Sequence, residues 1–150
     1  MRILTIDPSG TGTTGICLIN DKEIEFNQFS SPFWERHSTF IIQLVKDWQP
    51  NLIIYENFNF VSTHGRDMTS LFKLIGFIEV LKYFFSVKIL ASPVHQIKKI
   101  RKQILTKKQS IKNISFKKGR GGGWFYQSQR LSVHQLDAFL LYYNFSYGLF

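Results

Sequence analysis

Two short apolar runs constrain the fold more than any other feature: RILTID at residues 2–7 and NLIIYE at residues 51–56, each ending in a carboxylate. Both are rich in branched aliphatic residues and too short for a helix, so they read as buried strands. Pro8 stops the first run, and SGTGTTG behind it supplies small residues for a tight turn. TGICLIN and EIEFNQF, separated by Asp21 and Lys22, read as two further strands and complete a three-strand meander. Phe33, Phe40, Ile41, Leu44, Val45 and Trp48 then form a helical stripe that Pro50 closes.

Residues 69–85, TSLFKLIGFIEVLKYFF, read as a helix apolar on nearly every side, which implies burial on more than one face, either within the chain's own core or against a second subunit. VKILA reads as the last strand, and a helical pattern runs from Pro93 to about Leu105. The pattern then dissolves into the lysine- and glycine-rich stretch TKKQSIKNISFKKGRGGGWFYQSQR, in which GRGGGW is expected to be a mobile loop, and the final helix begins near Leu131. The order β-β-β-α-β-α-β-α-α defines an α/β protein: a mixed sheet, three antiparallel strands plus parallel ones, with helices on its faces. At 150 residues and 44% hydrophobic, the chain suits one domain, residues 1–150, around one core. A single cysteine excludes an intramolecular disulfide, and no signal peptide or membrane-length apolar run is present, so a cytoplasmic protein is expected.

Charge is unevenly placed. Between Glu79 and Asp137 there are thirteen bases and no acid, although the whole chain carries 19 bases and 10 acids. A biased codon supply could enrich lysine everywhere but has no reason to exclude acids from one region. The tract therefore suits a polyanion, with Lys98, Lys99, Lys107, Lys108, Lys117, Lys118 and Arg120 as candidate DNA contacts.

If the strands ending in Asp7 and Glu56 are parallel neighbours, both carboxylates emerge at one sheet edge, the usual place for a site in an α/β sheet. In SVHQLDAFLLYY, residues 132–143, His134 and Asp137 stand three apart and share a helix face. A polar first turn capped by Ser132 would account for the pair by itself. Three carboxylates brought together, however, repel one another unless a cation sits among them. Hard oxygen ligands suit Mg²⁺ or Mn²⁺, and two such ions about 4 Å apart can clamp a phosphate.

The segments ILTIDPSGTGTTGICLI, LIIYENFNF, LFKLIGFIEVL, ILASPVHQIKK and HQLDAFLLYY, in this order over nearly the whole chain, resemble the RuvC family of Holliday junction resolvases. The resemblance implies an RNase H-like fold and a homodimer that nicks opposed strands of a four-way junction, leaving 5′-phosphate and 3′-hydroxyl ends. It further implies that Asp7, Glu56, His134 and Asp137 are the catalytic, metal-holding positions for two Mg²⁺ or Mn²⁺ ions. Phe58 or Phe60 then stands where the family carries an aromatic near the junction centre. The divergent basic segment is nearer the phage or mobile-element branch than the chromosomal one. Two alternatives remain open: a less selective nuclease of the same fold, cutting flaps or hybrids, and a DNA-binding module without activity. His134 is read either as a metal ligand or as a proton carrier.

Overall fold

The computed structural model describes residues 1–57 and 66–148. A five-stranded sheet has the order β3-β2-β1-β4-β5, built from β1 (Arg2–Asp7), β2 (Thr13–Asn20), β3 (Glu23–Ser30), β4 (Leu52–Asn57) and β5 (Lys88–Pro93). The first three strands are antiparallel, whereas β1, β4 and β5 run parallel. The expected mixed sheet is therefore present. Among the described residues four α-helices accompany it: α1 (Trp34–Trp48), α2 (Arg66–Val80), α3 (Val94–Leu105) and α4 (Val133–Ser146).

Strand alternation divides the interior into two layers. Leu4, Ile6, Ile16, Leu18, Ile53 and Tyr55 pack with Ile41, Leu74 and Ile78 of α1 and α2. Ile3, Cys17, Ile19, Leu52 and Ile54 pack on the opposite side with α3 and α4. Asp7 follows the parity of Ile3, and Glu56 that of Ile54, so both carboxylates belong to the α3/α4 side. Apolar residues on both parities explain why β1 and β4 look continuously hydrophobic.

Three expectations are corrected. The helix expected over 69–85 runs from Arg66 to Val80 and is followed by a separate 3₁₀ turn, Leu81–Tyr83. The final helix starts at Val133 rather than near Leu131, because Ser132 caps it: its Oγ accepts from the Gln135 N–H at 3.1 Å while Gln135 Oε1 accepts from the Ser132 N–H at 2.9 Å. VKILA is not the last strand, because the basic stretch that follows α3 holds strands of its own. It forms a second sheet of three antiparallel strands, β6 (Ile114–Lys117), β7 (Gly123–Tyr126) and β8 (Gln129–Leu131). Ile114, Trp124 and Leu131 are buried in the α3/α4 layer, with Tyr126 packed against it. The short alternation of these residues, hidden between lysines and glycines, is what holds the segment down.

Among the described residues no helix is long and apolar enough to cross a membrane.

Candidate active site

The parallel register between β1 and β4 runs Ile3↔Leu52 to Ile6↔Tyr55, so the next step sets Asp7 beside Glu56 at the strands' C-terminal ends. Both carboxylates are buried, 7% and 4% exposed. Helix α4 lies across this edge. Thr5 Oγ1 donates to the Ala138 carbonyl at 2.6 Å, pinning the second turn of α4 to β1 from within the core. Gly15, paired with Asp7 across β1 and β2, lets the first turn come close. A Cβ there would collide with the His134 carbonyl group. The missing side chain is thus what admits the helix end to the carboxylate edge.

With α4 so placed, His134 Nδ1 lies 2.8 Å from Asp7 Oδ2. Asp137 lies one turn further along, where Arg101 of α3 donates from Nη1 to its Oδ2 at 2.6 Å. Among the described residues Asp137 Oδ1 is buried without a hydrogen-bond partner, as is Ser92 Oγ, whose residue pairs with Glu56 across β4 and β5.

The electrostatics follow from crowding acids in a dry place. Burial, then the charges of Asp7 and Asp137, push the Glu56 carboxyl up to about 9, with Lys98 opposing. Burial raises Asp137 to about 6 even though Arg101 pulls the other way. The Asp7 hydrogen bond raises His134 above the usual histidine range. Near neutral pH Glu56 therefore retains a proton that a water-exposed acid would release.

The loop after β1 is tied down as well. His37, fully buried, has Nε2 at 2.9 Å from the Ser31 carbonyl, so that nitrogen carries the proton and Nδ1 accepts from Thr14 Oγ1 at 2.8 Å. Thr14 in turn accepts from the Ser9 N–H at 3.0 Å. Asp7 thus leads into a fixed turn.

The structure brings together Asp7, Glu56, His134 and Asp137, and Lys98 lies close enough to influence Glu56. Lys99, Lys107, Lys108, Lys117, Lys118 and Arg120 are all exposed and in no ion pair among the described residues. Phe58 and Phe60 lie outside the described residues. Sequence reasoning missed Arg101. Its signal was position: Ile97, Ile100 and Ile104 form the inward stripe of α3, and Arg101 stands four residues after Ile97 on that same face.

The donor chemistry, three carboxylates with an orphaned buried oxygen, suits a hard divalent cation. As they stand, no three such side chains among the described residues are arranged to hold one, since His134 engages Asp7 and Arg101 engages Asp137. Arg101→Ala is expected to lower the metal-free unfolding free energy by about 1–3 kcal/mol. That is less than the ~3–5 kcal/mol of a fully buried pair, because Asp137 takes up a proton in its place. Chemical denaturation in a chelator measures it, and an unchanged midpoint would show the pair to be ornamental.

The sequence matches no protein-family model and no curated protein. The structure does match solved ones. It is similar to Thermus thermophilus RuvC in complex with a Holliday junction substrate, with a TM-score of 0.64 and 11% identity over 99% of this chain and 96% of that one. It is similar to the fowlpox virus resolvase in complex with Holliday junction DNA, with a TM-score of 0.55 and 14% identity over 99% of both chains. YeaZ from Pseudomonas aeruginosa also matches, with a TM-score of 0.58 and 11% identity over 99% of this chain and 95% of that one. The chain is an α/β protein with an RNase H-like fold. More particularly, it has the fold of RuvC, in agreement with the resemblance read from its motifs. A fold alone does not set an activity, so function rests on the site.

Proposed function

We propose that the protein is a divalent-metal-dependent endonuclease acting on branched DNA, and that as a homodimer it resolves four-way junctions by paired nicks. The observation that carries this reading is the meeting of Asp7, Glu56, His134 and Asp137 at one sheet edge beneath α4, in the fold of RuvC. Binding a polyanion does not require buried acids, whereas hydrolysing one with a metal does.

Asp7, Glu56 and Asp137 would hold the metal, Mg²⁺ or Mn²⁺, with His134 as a further ligand or as a proton carrier. The bound metal would supply activation of water and neutralisation of charge on the phosphate. Asp7 orients the His134 ring through Nδ1, and Arg101 orients Asp137, which a bound cation would engage in its stead. Lys98 and the exposed bases of α3 and the small sheet draw the phosphodiester backbone toward the edge. Attack by water on phosphorus with departure of the 3′ oxygen leaves 5′-phosphate and 3′-hydroxyl ends. The exposed Phe72, Val80, Tyr83 and Phe84, on α2 and just beyond it, offer an apolar surface for the second protomer.

The test is incubation with a mobile four-way junction, a flap, an RNA–DNA hybrid and a linear duplex, in chelator, Mg²⁺ and Mn²⁺. The expected result is metal-dependent nicking of opposed junction strands, with nicks that DNA ligase reseals. Equal cutting of all four substrates would leave a less selective nuclease, and binding without cutting in any metal would leave a binding module.

A further inference from the structure

The small sheet has two faces of opposite character. Trp124, Leu131 and Ile114 point to the body of the protein, so by alternation Ser115 and Lys117 of β6, Gly123 and Phe125 of β7, and Arg130 of β8 share the other face. On that face Phe125 lies between two cations. Lys117 Nζ sits 4.8 Å from the centre of its ring, and Arg130 is its cross-strand partner. At Gly123, which adopts a φ of 136°, an added Cβ would come 3.3 Å from Arg130 Nε. The absent side chain therefore lets the guanidinium lie along the sheet rather than stand away from it.

We propose that this outer face is a stacking site for an unpaired nucleotide. A base takes the face of Phe125, and Lys117 and Arg130 take the phosphates on either side. The inward residues of the sheet carry its packing on the body, whereas Phe125 on the outward side is only half-buried. The Lys117 ammonium rests on the ring face, a modest cation–π contact. A nucleotide satisfies both groups better, giving the ring a base and the ammonium a phosphate. Charge favours nucleic acid, since the sheet lies in the middle of the acid-free tract between Glu79 and Asp137. Position does too: β8 runs through Ser132 directly into the turn of α4 that carries His134. The proposal rests on the branched-DNA reading only for its purpose, to hold a strand splayed from a branch point beside the carboxylate edge.

The experiment is done on the full chain in chelator, so that nothing is cut. Binding of a fluorescent dT oligonucleotide of about 12 residues, within the roughly 4–16 nucleotides such surfaces cover, is compared with binding of a linear duplex. Phe125→Leu is expected to weaken dT binding by about 5- to 150-fold, the range for losing one base stack. Duplex binding should change little, and Phe125→Trp should restore the dT affinity. Arg130→Ala should flatten the salt dependence of dT binding by about 0.7 in slope. Should Phe125→Leu fail to fold, as read by circular dichroism, Arg130→Ala and Phe125→Trp decide alone. Absence of dT binding, an unchanged affinity in Phe125→Leu, a salt slope unmoved in Arg130→Ala, or equal binding of polyglutamate would each overturn the proposal. Failure of cleavage in every metal, with the Phe125 effect intact, would remove the nuclease and leave this site standing.

Discussion

Glu56→Gln is expected to abolish junction cleavage and, in metal-free buffer at pH 8, to unfold at a higher temperature than the native protein. The two effects share one cause. Glu56 is held at about 9 by burial and by its acidic neighbours, against an ordinary value of 4.5. Between those values the folded chain keeps a proton that the unfolded chain has released. A group raised in this way contributes stability that is present below pH 4.5 and is lost as pH climbs toward 9, by at most about 1.4 kcal/mol per pH unit. Asp137, raised from 3.8 to about 6, adds in the same direction over a lower window. The metal-free native protein should therefore lose stability from pH 5 to pH 8, whereas the Gln variant, with no proton to give up there, should show a flatter profile. A bound divalent cation should flatten the native profile as well, because it supplies the charge that the proton supplied. Cleavage in Mn²⁺ should fall by more than about 100-fold in the variant, beyond what disturbing a metal site indirectly brings. Thermal melts across pH with and without chelator, beside a junction assay, measure both. A native protein that becomes more stable on going from pH 5 to pH 8 without metal would refute the charged cluster, and near-normal cutting by Glu56→Gln would remove that residue from the machinery.

Gly15→Ala is expected to be as damaging without touching a charge. The new methyl would meet the backbone of His134 at a separation no real contact shows, and backbone cannot swing aside as a side chain does. Either β2 or the first turn of α4 must shift, drawing His134 off Asp7 and loosening the Thr5 to Ala138 hydrogen bond. Overpacking of this sort costs about 1–3 kcal/mol, which corresponds to a fall of roughly 2–12 °C in Tm for a chain of this size. The control is Gly76→Ala in α2, where an added Cβ meets nothing within 4 Å. There alanine should raise stability by about 0.5–1 kcal/mol, since glycine is costly in a helix interior. If both variants melt together with the native protein, the close approach at Gly15 has no bearing on the site.

Local physics makes most of this fold legible in the order of its residues. The runs ending in Asp7 and Glu56 are strands because they are apolar on both parities, and Ser132 caps α4 because a hydroxyl before an apolar run, with Gln135 three residues on, satisfies the first free N–H groups. His134 and Asp137 share a helix face by spacing alone. The small sheet is not legible in this way, since its buried residues, Ile114, Trp124 and Leu131, are scattered among lysines, glycines and serines that suit an irregular segment. Only their packing on the α3/α4 layer outweighs that local composition.

Periodicity, capping and charge are properties of neighbouring residues, so the sequence by itself determined which segments of the main sheet and its helices form, where each acid sits along its own element, and that one tract is basic throughout. Distances between elements are not. That β1 and β4 are adjacent and parallel, that α4 crosses their ends closely enough for His134 to reach Asp7, and that Arg101 reaches Asp137 from α3 were decided only by tertiary packing. The physical reason is that these contacts join residues up to 127 positions apart. Their geometry is set by how two apolar layers close on one sheet and by a glycine whose missing methyl no hydrophobic pattern reveals.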